Sequence, residues 1–479
     1  MGSWGSCTSN ATPLCESSGG GSCYYVDFVS GNDTTGDGSY ATPWKTLRCV
    51  GYFASGAPSC NIDPAPGSTI YLKGAGTYTD TYSTGLGLAV ISLDSGRSGS
   101  AGNPVTFKRY PGASVVIAGA GTSPTEGKVF WGDGADYITI EDIEITGGYG
   151  NGIHFVGGSD HVHVLRTSIS EIEGNNNNNN SGIYLNGGTF SVSKWNTIID
   201  ISDPSEGGGD FSNTTGIVIF NDVTGGDHTI AYNRIGWTAA CDAGGTVHGG
   251  AIKFKHGADK DSHGGNLVYG NLIWQACEFA FGIFTGGVEV YNNLVIDSEW
   301  GFQMTEDADS YFQGWNFHHN TFYRTLYGFN INGEDAVFEH PVESWNFHHN
   351  VHLEAATYGG DIAGFRLDYY GNDTQRAEVL AILTLSNNCY WNSATSGYKW
   401  SEFGAPSGSL GHGPAEDDGT STTSLATWQA VQAGLDANSY VENPTLDSSF
   451  RATAVNCADK GWRLISATDT GGSFVPYMQ

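Results

Sequence analysis

Lys253 and Lys255 stand two residues apart with His248 and His256 at the edges of the same segment, in a chain with 50 acidic and only 20 basic residues. An amine held near a second cation, or partly desolvated, loses basicity and can take a proton alpha to a carboxyl group. That is the opening step of β-elimination from a uronate, and a neighbouring cation would neutralise the substrate carboxylate. The plainer alternative is a solvated strand face whose lysines balance nearby acids. A second constellation is acidic: Glu306, Asp307 and Asp309, then Glu334, then Asp368. Glycosidases need two carboxyl groups at about 5 Å for retention or about 6.5 to 9.5 Å for inversion. Glu306 with Glu334 could serve, or Asp307 and Asp309 could hold calcium that bridges a uronate. An acidic turn with no chemistry fits the same residues. Two His pairs, His318-His319 and His348-His349, follow identical Trp-Asn-Phe segments. Coil duplication explains them better than a metal site.

These groups come together only if the chain repeats, and it does. Seven segments carry an Asn ahead of an apolar or aromatic run, at Asn196, Asn233, Asn271, Asn293, Asn320, Asn350 and Asn388. A second series, small residue-apolar-x-apolar, interleaves with them in fixed order: Gly152, Gly182, Gly216, Ala251, Gly301, Gly328 and Gly364. Repeats too short to bury their own apolar face gain a core only by stacking, the signature of a solenoid. Alternation within each unit turns Ile252 and Phe254 inward and Lys253 and Lys255 outward. The Asn positions fall at turns, where Asn tolerates left-handed backbone and stacks on the next Asn. Outward residues of successive coils then lie about 4.8 Å apart, a ladder matched to an extended polymer. The exposed positions expected along it include His154, Tyr184, Asn186, Val218 and Phe220, then the lysines. Beyond them Gln303, Asn330, Asn332, Arg366 and Asp368, with His248, are candidate substrate contacts.

The opening Val26-x-x-x-x-Gly-Asn-Asp-x-x-Gly-Asp-Gly38 with Pro43-Trp-Lys-Thr46, the strand Pro66-Gly-Ser-Thr-Ile-Tyr-Leu72 and the Asn coils resemble the parallel β-helix superfamily of pectate-lyase-like secreted proteins. The resemblance implies an all-β, right-handed three-sheet β-helix with an amino-terminal cap, and carbohydrate as ligand. It does not choose among lyases, hydrolases, epimerases and catalytically silent members. Ala251-Ile-Lys-Phe-Lys-His-Gly257 is also similar to the lysine-bearing coil of the chondroitinase B and alginate lyase group, which implies Lys255 as base. That group carries Arg-His-Gly one coil later, where this chain has Phe284-Thr-Gly-Gly287. The expected function is a secreted polysaccharide lyase acting on a uronate polymer. The alternatives are a glycoside hydrolase and a non-catalytic adhesin.

A formal charge of −30 disfavours nucleic acid and anionic membranes as partners. No apolar run is long enough to span a bilayer. Nine Cys fit no metal spacing, and five of them crowd the first sixty residues, which reads as disulfides of an exported protein. Cys49 with Cys60 and Cys241 with Cys277 are candidate pairs. Residues 1–22 read as a Ser/Gly/Cys-rich tail, 23–120 as cap and first coils, 121–395 as β-helix coils and 396–479 as a closing segment with a short helix over Ser424–Ser439. The run Asn175–Asn180 reads as a surface loop. Asn10, Asn32, Asn179, Asn213 and Asn372 head glycosylation sequons.

Overall fold

Through the body of this chain each strand pairs with the strand one coil later, not with its neighbour in sequence. The computed structural model describes residues 14–79, 82–83, 88–119, 128–174, 180–207, 214–239, 246–255, 264–305, 314–325, 327–333, 344–354, 365–369, 373–392, 400–403, 420–422 and 424–463. Its strands form two twelve-stranded sheets and one of thirteen. Pairing within these three sheets is parallel except where Tyr82–Ser83 and Thr420–Thr422 close the ends of the largest, and the described residues also include a separate two-stranded antiparallel sheet of Ser202–Gly207 with Thr246–His248. This is the expected parallel β-helix. The thirteen-stranded sheet is called the front sheet here. The sheet beginning with Cys23–Val26 is the first flank, and that beginning with Ala75–Tyr78 the second.

The core is built from files of identical position. On the front sheet Ile153, Ile183, Ile217, Ile252, Phe281, Phe302, Phe329, Phe365 and Trp400 stand in unbroken register, all buried. Phe329 lies 5.6 Å from both Phe302 and Phe365. The repeat glycines have a steric cause at the corner between second flank and front sheet: a Cβ at Gly216 would lie 2.5 Å from Ile235, and one at Gly301 2.5 Å from Phe322.

The corner between the two flanks carries the asparagine ladder. Each side-chain oxygen accepts from the backbone N–H and the amide of the Asn one coil before: Asn196 donates to Asn233 at 3.0 and 3.1 Å, and Asn233 to Asn271 at 2.9 and 3.0 Å. The same pattern continues through Asn293, Asn320 and Asn350 to Asn388. One detail differs from expectation. The left-handed backbone belongs to the residue before the ladder Asn, as in Trp195 (φ 58), Tyr232 (φ 58), His319 (φ 55) and His349 (φ 56). The ladder residue itself must turn its amide inward along the stack.

At the amino end the acidic turn is fully occupied. Asp33 accepts from Lys45 N, Thr46 N and Thr46 Oγ1 at 2.7 to 2.9 Å, and the Thr42 hydroxyl with the Ser39 amide holds the Asp37 carboxyl down to about 2. Disulfides join Cys15–Cys23, Cys49–Cys60 as expected, and Cys389–Cys457. Cys277 is also disulfide-bonded, and Cys241 lies outside the described residues. At the other end the helix is shorter than expected, Leu425–Gln429. The chain must then turn so that Asp436 and Ser439 can cap the last Asn: Ser439 Oγ accepts from Asn388 N at 2.8 Å, and Asp436 Oδ1 accepts from Tyr390 and Ser439. A helix over Asp373–Ile382, absent from the sequence reading, lies between two coils.

Asn271→Ala would strip the Asn233 amide of its acceptor and leave buried carbonyls unpaired, with an expected cost of about 2–4 kcal/mol in denaturant unfolding. Asp436 is fully buried, which pushes its carboxyl up to about 6 from 3.8. The unfolded chain therefore releases that proton first, and stability falls as pH rises from 3.8 to about 6. Comparing wild type with Asp436→Asn, the stability difference is expected to move toward the variant by about 2 kcal/mol between about pH 4 and about pH 8.

Candidate functional site

Two outward files run along the front sheet. In the first, Lys253 pairs with Gly282, Gly282 with Gln303, Gln303 with Asn330 and Asn330 with Arg366. Before Lys253 the same file holds Trp131, His154, Tyr184 and Val218. In the second file Asn186 pairs with Phe220 and Phe220 with Lys255, and on later coils Thr305 pairs with Asn332 and Asn332 with Asp368. The strand register thus gathers Lys253, Lys255, Gln303, Asn330, Asn332, Arg366 and Asp368 on one sheet. His256, Glu306, Asp307, Asp309 and Glu334 lie outside the described residues. His248 stands apart: Thr246–His248 pairs antiparallel with Ser202–Gly207 in a separate two-stranded sheet. The chain enters the front sheet only after Gly249, which presses on the Thr214 backbone.

Four members of the first file that face outward are buried, contrary to expectation. Tyr184, Val218, Lys253 and Gln303 are 6%, 1%, 8% and 5% exposed. Neighbouring rings cover two of them. Tyr184 lies 4.5 Å from the His154 ring and 6.1 Å from that of Phe220. The Lys253 ammonium sits 5.4 Å from the Phe279 ring and 5.3 Å from the Phe284 ring, a cation–π arrangement. Phe279 reaches it through a gap left by glycine, since a Cβ at Gly282 would lie 2.7 Å from the ring. Lys255 is different: it is partly exposed, with its ammonium 5.6 Å from the Phe220 ring. One amine is therefore fixed in the floor and the other stands at the accessible edge.

Burial shapes other ionisable groups on this face. It pushes Lys128, stacked 3.8 Å over Trp131, down to about 8. Burial, with Lys128 nearby, keeps His154 uncharged. Glu299, which the sequence reading passed over, is pushed up to about 7 by burial. It precedes Trp300, which pairs with Phe279, so Glu278 and Glu299 occupy equivalent rungs of adjacent coils. The signal was present as a Glu-aromatic pair at the entry of two successive front strands.

The His pairs lie on the first flank. His318 stacks on His348 at 5.0 Å and 2°, and His319 on His349 at 5.0 Å and 10°. Within each pair the Nδ1 atoms are 2.9 Å apart. Burial first, then the neighbouring imidazoles, hold His319 and His348 down to about 4, so these two rings are uncharged at neutral pH. Among the described residues the one set of three metal-capable side chains within reach is Asp33, Cys49 and Cys60, and those cysteines are bonded to each other.

No family model matches the chain, and no curated protein matches it. Among solved structures it is similar to the pectate lyase Pel9A, at 17% identity and TM-score 0.49 over 91% of this chain and 90% of that one. It is similar to a GH136 lacto-N-biosidase from Eubacterium ramulus at 13% identity and TM-score 0.47, covering 80% of this chain and 67% of that one. An alginate lyase from Paenibacillus sp. str. FPU-7 follows at 17% identity and TM-score 0.40, over 62% and 91%. At these identities the likeness is one of fold.

Gly282→Val would drive the Phe279 ring from beneath Lys253. Its expected cost is about 1–3 kcal/mol, read from denaturant unfolding, because the displaced ring has no vacant space to enter.

Proposed function

We propose that the protein is a secreted enzyme that degrades an extended polysaccharide, and that it acts as a lyase on a uronate-containing polymer bound along the front sheet. The observation that carries this reading is the pair of amines on strand Gly250–Lys255, one set on aromatic rings and one accessible, in a chain of charge −30. Lys255 takes the proton from the carbon alpha to the uronate carboxyl group. The electron pair left behind forms a carbon–carbon double bond as the adjacent glycosidic C–O bond breaks, and the departing oxygen takes up a proton. Lys253 supplies fixed positive charge toward the substrate carboxylate, whose negative charge grows as the proton leaves. Gln303, Asn330 and Arg366, at one-coil spacing in the Lys253 file, are suited to successive sugars. Calcium held by Asp307 and Asp309 belongs to the same proposal, as a bridge between an acidic protein and an acidic polymer. Disulfides and the absence, among the described residues, of a helix long and apolar enough to cross a membrane support an exported protein.

A glycoside hydrolase is the second reading. Glu299 favours it, since burial gives its carboxyl the proton-donating range near neutrality while Glu278 occupies the adjacent rung. The pair Glu306 and Glu334 would serve the same chemistry.

Incubation with alginate, polygalacturonate and chondroitin sulfate separates these readings, because the lyase product carries a double bond that absorbs in the ultraviolet. Absorbance should rise with one of them, and a chelator should suppress the rise if calcium takes part. Reducing ends without absorbance would move the assignment to hydrolysis, and binding without either product to an adhesin. Lys255→Ala is expected to lower turnover by roughly 10²- to 10⁴-fold with an unchanged melting temperature. Retained activity would remove Lys255 from the mechanism.

A further inference from the structure

Successive coils pass from the front sheet into the first flank through one residue with positive φ. On three early coils that residue is aromatic: Tyr137 (φ 52), His161 (φ 56) and Phe190 (φ 55). Asp227 (φ 56) follows, and then glycine takes over at Gly265 (φ 80), Gly287 (φ 65) and Gly314 (φ 64). Hydrogen bonds show that the early positions are equivalent: the amides of Tyr137, His161, Phe190 and Asp227 donate to the carbonyls of Asp160, Thr189, Gly226 and Gly264, each just before the next member of the file.

A bulky residue in left-handed backbone is strained, and glycine is not. The fold closes this turn with glycine elsewhere, so the aromatic residues are not required for closure. Their rings form a short stack, Tyr137 on His161 at 4.3 Å and His161 against Phe190 at 5.1 Å. The stack stops at Phe190, which is 48% exposed. The next rung offers no ring. It carries Asp227, exposed, with its carboxylate directed at Gly265, where a Cβ would lie 2.1 Å from Oδ1. An exposed aromatic ring therefore stands one rung from an exposed carboxylate.

We propose that Phe190 and Asp227 form a sugar subsite, in which the apolar face of a pyranose ring lies on Phe190 while Asp227 accepts hydrogen bonds from its hydroxyl groups. The proposal rests on the reading that a polysaccharide lies along the front sheet. Phe190 follows Asn186 by four residues, and Asn186 reaches Lys255 through Phe220. The ring is thus two coils from Lys255, about 10 Å along the axis. It would hold a sugar remote from the bond being broken, tightening polymer binding without entering the chemistry.

The test compares the full-length wild type, Phe190→Gly and Lys255→Ala by affinity electrophoresis in gels containing alginate, polygalacturonate, chondroitin sulfate or xylan, with melting temperatures alongside. Phe190→Gly is expected to weaken binding by roughly 5- to 20-fold and to melt no lower than wild type, since glycine relieves the strained φ. Lys255→Ala serves as the catalytically inactive background, and Phe190→Gly placed in it should weaken binding by the same roughly 5- to 20-fold. Unchanged affinity in Phe190→Gly overturns the subsite, as does a lower melting temperature with binding intact, which would make the ring a packing element. Failure of the wild type to bind any of the four polymers also overturns it. Phe190-dependent binding with no unsaturated product keeps the subsite and removes the lyase; product formation with Phe190-independent binding does the reverse.

Discussion

Each carboxamide between Asn196 and Asn388 is buried and bound both to the coil before it and to the coil after it. No coil can slide by one residue without leaving several buried donors and acceptors unpaired, at about 1–3 kcal/mol each. A one-residue slip would also turn every strand inside out. The ladder therefore fixes more than a corner. It determines which side chain of one coil faces which side chain of the next on all three sheets. Its termination is equally constrained, because the last Asn needs partners from outside the repeat, and Asp436 and Ser439 supply them.

With register fixed, the front face follows from small local choices. Gly282 leaves room for the Phe279 ring, the ring lies under Lys253, and Gln303 occupies the next rung. Parity alone would send Phe279 inward with Phe281. Instead the alternation breaks at the start of this strand: Ala280, not Phe279, joins the main core. The same break explains why repeat glycines meet second-flank side chains at Ile235 and Phe322. A turn too tight for a Cβ on one side thus sets an aromatic floor on the other.

Much of the fold could be read from the sequence because it is written in repeated local patterns. The seven ladder Asn, the inward Ile252 and Phe254, the Cys49–Cys60 bridge and the stacking of the His pairs were all accessible from spacing and residue type. Burial of outward positions was not. Alternation says which way Tyr184 or Lys253 points, but whether a ring from the next coil covers it depends on packing between units more than twenty residues apart. Glu299 was missed for the same reason, since its raised carboxyl comes from burial and not from a motif. The helix over Asp373–Ile382 interrupts the repeat and follows no periodic signal of it.

The two lysines show why covering matters for function. Their residue type and two-residue spacing are symmetric, and nothing in the sequence separates them except position. Their surroundings separate them: Lys253 is confined between two rings, so its charge is fixed in place but its amine has little freedom to approach a ligand. Lys255 shares a file with partly exposed Asn186 and Phe220 and keeps access to anything lying along the sheet. A base must reach the proton it removes, whereas a cation that steadies growing negative charge gains strength from being held still in a poorly solvated place. Division of labour between the two amines follows from geometry, with the accessible one suited to proton transfer and the confined one to electrostatic support.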